Sequence, residues 1–172
     1  SISQAGFLLL GIVGLNEMTF GSIGFYASSY ALATIAAMGV LIVVSKNSLK
    51  NGRPNEDIEV FNGLFKRNPD LAIILFVAML SLIGIPLTTG FWSKFFVFTD
   101  VMTRKHLWIL IFAVLMSAVS IFYYLKPVMA SFKETNEEAI EVGTTQKVVL
   151  YIITILTVLL GFAPNLLRGL FS

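Results

Sequence analysis

Residues 71–83 read LAIILFVAMLSLI and run straight into GIPLTTGFWSKFFVF at 84–98. The first piece is an uninterrupted apolar helix pattern, and Gly84 and Pro86 mark its end or a kink. After LTTG the pattern resumes as a second helix from about Phe91 to Met102. Lys94 lies inside that second helix, among Phe91, Trp92, Phe95 and Phe98. Two questions follow: what kind of molecule tolerates a break there, and what compensates the lysine.

Of the 172 residues, 56% are hydrophobic and 13% charged, against roughly 45–50% and 25% in soluble domains. This is the composition of a membrane chain. Apolar stretches occupy 1–15, 26–44, 71–99 (broken at Pro86), 107–132 and 148–163, the last extending to Phe171. Several reach the ~20 residues that cross a ~30 Å hydrocarbon layer as a helix. The ten-residue alternation of a membrane barrel is absent, so the expected fold is all-α. It is a polytopic bundle of about six transmembrane segments, one of them broken, forming a single membrane domain over 1–172. The opening SISQAGFLLLGIVGL lacks an initial methionine, a basic leader and a cleavage site. The expectation is that the chain starts inside a helix of a longer protein.

Cysteine is absent and His106 is the single histidine. Thiolate-held iron–sulfur clusters, bis-histidine haem and Cys-type zinc sites therefore cannot be built from this chain alone. Gly11, Gly14, Gly21 and Gly24 do not have dinucleotide-binding spacing. No cofactor or metal is expected here, and any redox chemistry belongs to another polypeptide. Nor does anything suggest nucleic-acid binding; the surrounding medium is the lipid bilayer.

In the 26–44 helix, Ser29, Ala33, Ala36, Ala37 and Val40 share one face, where small residues let another helix approach. The polar stretch 45–70 begins with an Asn51-Gly52 turn. Residues 55–67, NEDIEVFNGLFKR, then place Ile58, Phe61, Leu64 and Phe65 on one face, with acids first and Lys66-Arg67 last. That pattern reads as an interfacial amphipathic helix, with a solvated loop as the alternative. Asn68-Pro69-Asp70 starts the next helix, and TRKH at 103–106 is a tight turn. In the 107–132 helix, Ser117, Ser120 and Tyr124 make a stripe, one turn after Ala113, that either contacts another helix or lines a wet path. Lys126, followed by Pro127, is near its helix end and reads as interfacial, or as a second relay site. The loop with Glu134, Glu137, Glu138 and Glu141 leads to a helix ending near GFAPNLLRGLF, and no internal repeat is visible.

If the crossings alternate, the 45–70 loop, the 103–106 turn and the C-terminal end share one side, with Lys46, Lys50, Arg53, Lys66, Arg67, Arg104, Lys105 and Arg168, and the 16–25 loop, the short 86–90 turn and the 131–147 loop share the other, with Lys126, Lys133 and Lys147. Eight against three makes the first side cytoplasmic by the positive-inside rule.

Lys94 is roughly 10–12 Å from either end of its segment, near mid-membrane. Placing a lysine there costs about 2.5–3.5 kcal/mol on insertion scales, and its stem is too short to snorkel fully. Asp100 is the nearest acid in sequence, but six positions turn it about 240° around the helix. No acid occurs at 18–55 or 71–99, so the partner is expected from other sequence, another subunit or water. A buried amine whose charge depends on a switchable partner can take up and release a proton. Pro86, Thr88, Thr89 and Gly90 loosen the helix just before it, and broken backbone is tolerated at that depth where it lines a cavity or is buried. The competing reading is a lysine lying along the aromatic wall of Phe91, Trp92, Phe95 and Phe98.

The order SISQAGFLLLG, LAIILFVAMLSLIGIPLTTGFWSKFFVF, HLWILIFAVLMSAVSIFYYLKPV and a final GFAPNLL helix resembles the antiporter-like subunit N of bacterial proton-pumping NADH:quinone oxidoreductase, respiratory complex I. The resemblance covers nearly the whole chain. It implies the second of two inverted repeats, helices nine to fourteen of fourteen, with Lys94 as a proton relay in the broken helix. Gly84, Pro86, Thr89, Gly90, Ser117, Ser120, Tyr124 and Lys126 would support it. It further implies partner membrane subunits, including sister antiporter-like subunits, in the bacterial inner membrane. NAD, flavin, iron–sulfur clusters and quinone would reside in partner subunits. The family topology puts the 45–70 loop outside the cytoplasm, against the charge count. Multisubunit sodium/proton antiporters also carry lysine at this position, whereas one sister subunit has glutamate, and SIFYYLKP at 120–127 favours subunit N. A third reading is a membrane scaffold in which Lys94 is buried against a fixed acid.

Overall fold

A computed structural model describes residues 2–13, 19–50, 53–55, 57–103, 107–136 and 138–164. The expected Asn51-Gly52 turn, the 104–106 part of the TRKH turn, Glu137 and the end of the GFAPNLLRGLF segment lie outside the described residues. The elements are α1 (Ile2–Val13), α2 (Thr19–Asn47), a two-residue ladder of β1 (Leu49–Lys50) and β2 (Arg53–Pro54), a 3₁₀ turn (Ile58–Phe61), α3 (Leu64–Arg67), α4 (Pro69–Ile83), α5 (Thr89–Thr103), α6 (Leu107–Ser131) and α7 (Thr144–Phe162). The six longer helices include both halves of the expected broken segment, and the architecture is all-α.

α2, α6 and α7 are long and apolar enough to cross a membrane. α4 and α5, at 15 residues each, rise only about 22 Å apiece and do not reach across alone. They are two halves of one crossing. The second half of α2 packs on α4 in a core of Ala36, Val40, Val44, Leu71, Ile74 and Leu75, joined by Leu150 of α7. Its first half packs on α5, with Phe25 edge-on to Phe96 at 5.4 Å, while Phe7 and Leu10 of α1 close a second core with Tyr26, Val97 and Val101. The small-residue face of α2 is buried as expected, at Ser29, Ala33, Ala36, Ala37 and Val40. α2 also starts earlier than 26, so residues 19–25 are helix rather than loop.

The join between the halves is specified locally. Asn68 caps α4, its side chain accepting from the Leu71 N–H at 3.1 Å, and Pro69 occupies the first turn, where its missing N–H costs nothing. Gly84 ends the helix at φ 90° with its N–H donating to Leu80 O at 3.0 Å, a left-handed cap that suits glycine. Leu87 is also left-handed, at φ 83°, a conformation that costs a side-chain-bearing residue about 1–2 kcal/mol. The loosened backbone is satisfied internally: Thr88 Oγ1 donates to Ile85 O (2.8 Å), Gly90 N–H to Ser81 Oγ (3.2 Å) and Ser93 Oγ to Gly90 O (2.8 Å). Gly90 lies directly on the Ser81 carbonyl, where any Cβ would collide with backbone.

Residues 55–67 are not one amphipathic helix. Gly63, left-handed at φ 64°, separates the 3₁₀ turn from the single turn α3, and Phe61 and Leu64 are buried while Ile58 and Phe65 are exposed. The expected apolar stripe is split because the segment packs into the end of the bundle. Arg67 is buried there, donating to Glu138 O (3.2 Å), Val60 O (3.2 Å) and Ser48 Oγ (3.4 Å). Ile140 N–H donates to Arg67 O and Gly63 N–H to Ala130 O. Loops 57–68 and 131–143 therefore share one end of the bundle, and Lys147 pairs with Asp70 there. The sidedness expected from alternating crossings is corrected: the 84–88 break is no surface turn, so Lys126, Lys133 and Lys147 join the end that holds Lys46, Lys66 and Arg67. The eight-to-three count, which set them apart, loses its basis.

Replacing Gly90 by Val should force the half-helices apart and destabilise the protein by about 1–3 kcal/mol or more. The check is the melting temperature and yield of the purified protein; an unchanged melting temperature would contradict the close approach.

Candidate functional site at the helix break

The last turn of an α-helix leaves its carbonyls without intrahelical donors, and the helix dipole adds partial negative charge there. In α4 that turn points into the protein, and Lys94 faces it. Its Nζ donates to Ile83 O at 2.7 Å, Leu82 O at 3.2 Å and Ser117 Oγ of α6 at 3.1 Å. The Phe7 ring of α1 lies 5.1 Å from it, presenting its electron-rich face. Lys94 is only 6% exposed. No carboxylate among the described residues forms an ion pair with it; backbone carbonyls do that work.

α5 begins at Thr89 rather than Phe91, so Lys94 is within its second turn, about 7.5 Å from its start. The aromatic wall is not where the amine lies. Phe91 and Phe95 stack and Trp92 meets both edge-on, Phe95 facing outward, and Trp92 donates to Gly161 O of α7 at 2.7 Å. Lysine and these rings leave α5 in different directions, which adjacency in sequence concealed.

The residues expected to support Lys94 are partly brought together. Gly84 lies against its stem: a Cβ there would sit 3.0 Å from Lys94 Cδ. Thr89 meets Ser81 Oγ at 3.4 Å and Gly90 provides the close approach. Pro86 is exposed in the join and makes no contact with the amine. From α6, Ser117 binds Lys94 directly and Ser120 donates to Ser117 O at 2.6 Å, so the stripe serves both the helix contact and the polar site. Lys126 is exposed, its amine over Phe122 at 4.8 Å, beside the 58–62 turn and well away from Lys94.

Gln4 of α1 was not singled out by the sequence. It is 2% exposed, and its Nε2 donates to Leu82 O (3.0 Å), the same carbonyl that binds Lys94, and to Tyr124 Oη (3.1 Å). Its Oε1 accepts from Tyr26 Oη. A polar amide inside an apolar first helix was the available signal. Gln4, Tyr26, Ser29, Ser93 and Lys94 line a cavity of about 10 Å³, the volume of a single water position. The arrangement can hold a lysine charged through carbonyls and dipole, and it offers hydroxyls through which a proton can be passed.

Comparison with known proteins agrees with this architecture. Residues 1–120 match the family described as NADH:quinone oxidoreductase/Mrp antiporter, TM. NADH-quinone oxidoreductase subunit N of Flavobacterium johnsoniae is 38% identical over 176 residues, covering 99% of this chain and 36% of the relative. That of Desulforamulus reducens is 34% identical over 167 residues, covering 96% and 34%. The chain thus spans about a third of the length of the curated relatives it matches. Among solved structures, respiratory complex I from Thermus thermophilus with bound aureothin aligns with TM-score 0.82 at 31% identity, covering 96% of this chain and 36% of that one. The Mrp complex from Dietzia sp. DQ12-45-1b aligns with TM-score 0.80 at 18% identity over 96% of this chain and 39% of that one, a likeness of fold. This chain is a multi-pass bacterial membrane protein, and it belongs to the NADH:quinone oxidoreductase/Mrp antiporter family, with subunit N among its relatives.

Proposed function

We propose that this chain forms part of a proton-translocating membrane subunit of NADH:quinone oxidoreductase, an enzyme of the translocase type, in which Lys94 is the buried protonatable relay. The carrying observation is the Lys94 ammonium bound by the terminal carbonyls of half-helix α4 and by Ser117. Carbonyls only accept, so they favour the charged lysine. Ser117 is different: its hydroxyl accepts from the ammonium and can donate to the neutral amine. It therefore serves both protonation states, and Gln4 fixes the shared Leu82 carbonyl while the proton comes and goes. NAD, flavin, iron–sulfur clusters and quinone are assigned to partner subunits, with quinone reduction there driving the cycle and sister antiporter-like subunits completing the membrane arm.

The alternative, a subunit of a multisubunit sodium/proton antiporter, shares the fold. Subunit N relatives at 34–38% identity support the oxidoreductase reading. Copurification of flavin and iron–sulfur subunits decides for it, and copurification of small antiporter subunits decides against it.

In the assembled complex in proteoliposomes, Lys94→Met should lower proton pumping and the coupled NADH:quinone activity by roughly tenfold or more. Normal pumping would contradict the proposal. Lys94→Arg keeps a cation that does not deprotonate; it should assemble yet pump as poorly as Lys94→Met, whereas a purely structural cation would be rescued. Gln4→Leu leaves two tyrosine hydroxyls and a carbonyl short of partners, a cost of about 1–3 kcal/mol. It should lower both melting temperature and pumping, without abolishing the latter.

A further inference from the structure

Asp100 is a buried carboxyl that the Lys94 site does not use. It is 5% exposed, and its Oδ2 meets no hydrogen-bond donor. It sits one turn before the end of α5 at Thr103, where the helix dipole disfavours negative charge. The helices packed around α5 bring no cation to it. Among the described residues of α1, α2, α4, α6 and α7, the charged side chains are Lys46, Asp70, Lys126 and Lys147, all toward the opposite end of the bundle. Glu17, Arg104, Lys105 and His106 lie outside the described residues.

The packed seam between α5 and α2 spans the levels of Lys94 and Asp100. Ser93 shares the cavity with Lys94, Ser29 and Tyr26. Ser93 and Asp100 are seven positions apart, on one face of α5. On α2, Ser29 is level with Ser93 in that cavity, Phe25 is level with Phe96, and the next turn brings fully buried Ser22 to the level of Asp100. The axial separation of Lys94 and Asp100 is about 9 Å, with the Phe25–Phe96 pair between the two levels.

We propose that Asp100 is a second protonatable station of this chain, exchanging protons between the Lys94 site and the membrane surface at the C-terminal end of α5. This rests on the relay role of Lys94. In the transfer, the Asp100 Oδ2–H bond breaks, each intervening hydroxyl or water passes one proton on, and an N–H bond forms on the neutral Lys94 amine. The carboxylate left behind regains a proton from solvent at the end of α5, and the reverse sequence releases one.

The test uses the assembled complex with full-length subunit in proteoliposomes. Asp100→Asn should slow pumping several-fold, Asp100→Glu should retain most of it, and the infrared spectrum should lose a protonated-carboxyl band in Asp100→Asn. Wild-type pumping in Asp100→Asn, with Lys94→Met still slow, overturns this proposal alone. Recovery of pumping in Asp100→Asn/Arg104→Gln would also overturn it, marking an ion pair instead. If Asp100→Asn does not assemble, Asp100→Glu decides: an infrared band that does not shift in that variant overturns the proposal.

Discussion

The structure turns on the end of one helix. α4 stops at Ile83 because Gly84 takes a left-handed cap, and the carbonyls of the last turn are left inside the protein rather than at the membrane surface. Unsatisfied carbonyls at that depth cost several kcal/mol each unless they find donors. Lys94 and Gln4 are those donors. The same contact resolves the lysine's difficulty, since a buried ammonium needs oxygens and negative potential as much as the carbonyls need protons. Break and lysine each account for the other, and removing either leaves the remaining one uncompensated.

Most of the bundle exists to hold that contact steady. α2 runs past both half-helices and packs on each, so the two are kept in register although the chain between them is strained at Leu87. Gly90 against Ser81 sets how closely the halves approach. α7 reaches the break through the Gly161 carbonyl and Trp92, and α6 contributes Ser117 from the other side. At the far end, Arg67 ties two loops together through backbone carbonyls. That clamp fixes the start of α4 and, through its rigid helix, the position of its end.

Much of this was legible in the sequence because the signals are local. Composition gave the membrane, Asn68-Pro69 the start of α4, Gly84 its end, and isolation among apolar residues marked Lys94. What failed depended on knowing which elements meet. The 55–67 stripe looked continuous because periodicity does not see a left-handed Gly63. The 84–88 join looked like a surface turn until two 15-residue helices proved too short to cross separately. The charge count inherited that error. The aromatic wall was inferred from adjacency, but neighbours on a helix point about 100° apart, so Lys94 turns to α4 while Phe95 turns outward. The partner of Lys94 was sought among acids, whereas backbone carbonyls carry no sequence signature at all.

The proposed relay requires the amine at position 94 to hold and release a proton alternately during turnover. In a full-length subunit otherwise freed of cysteine, Lys94→Cys alkylated before assembly carries S-aminoethylcysteine, which restores an amine of nearly the same length but lower basicity. A less basic amine loses its proton at lower pH. A relay at position 94 should give restored pumping whose decline on the alkaline side begins at lower pH than in the wild type; restored pumping with an unchanged pH profile would rule it out.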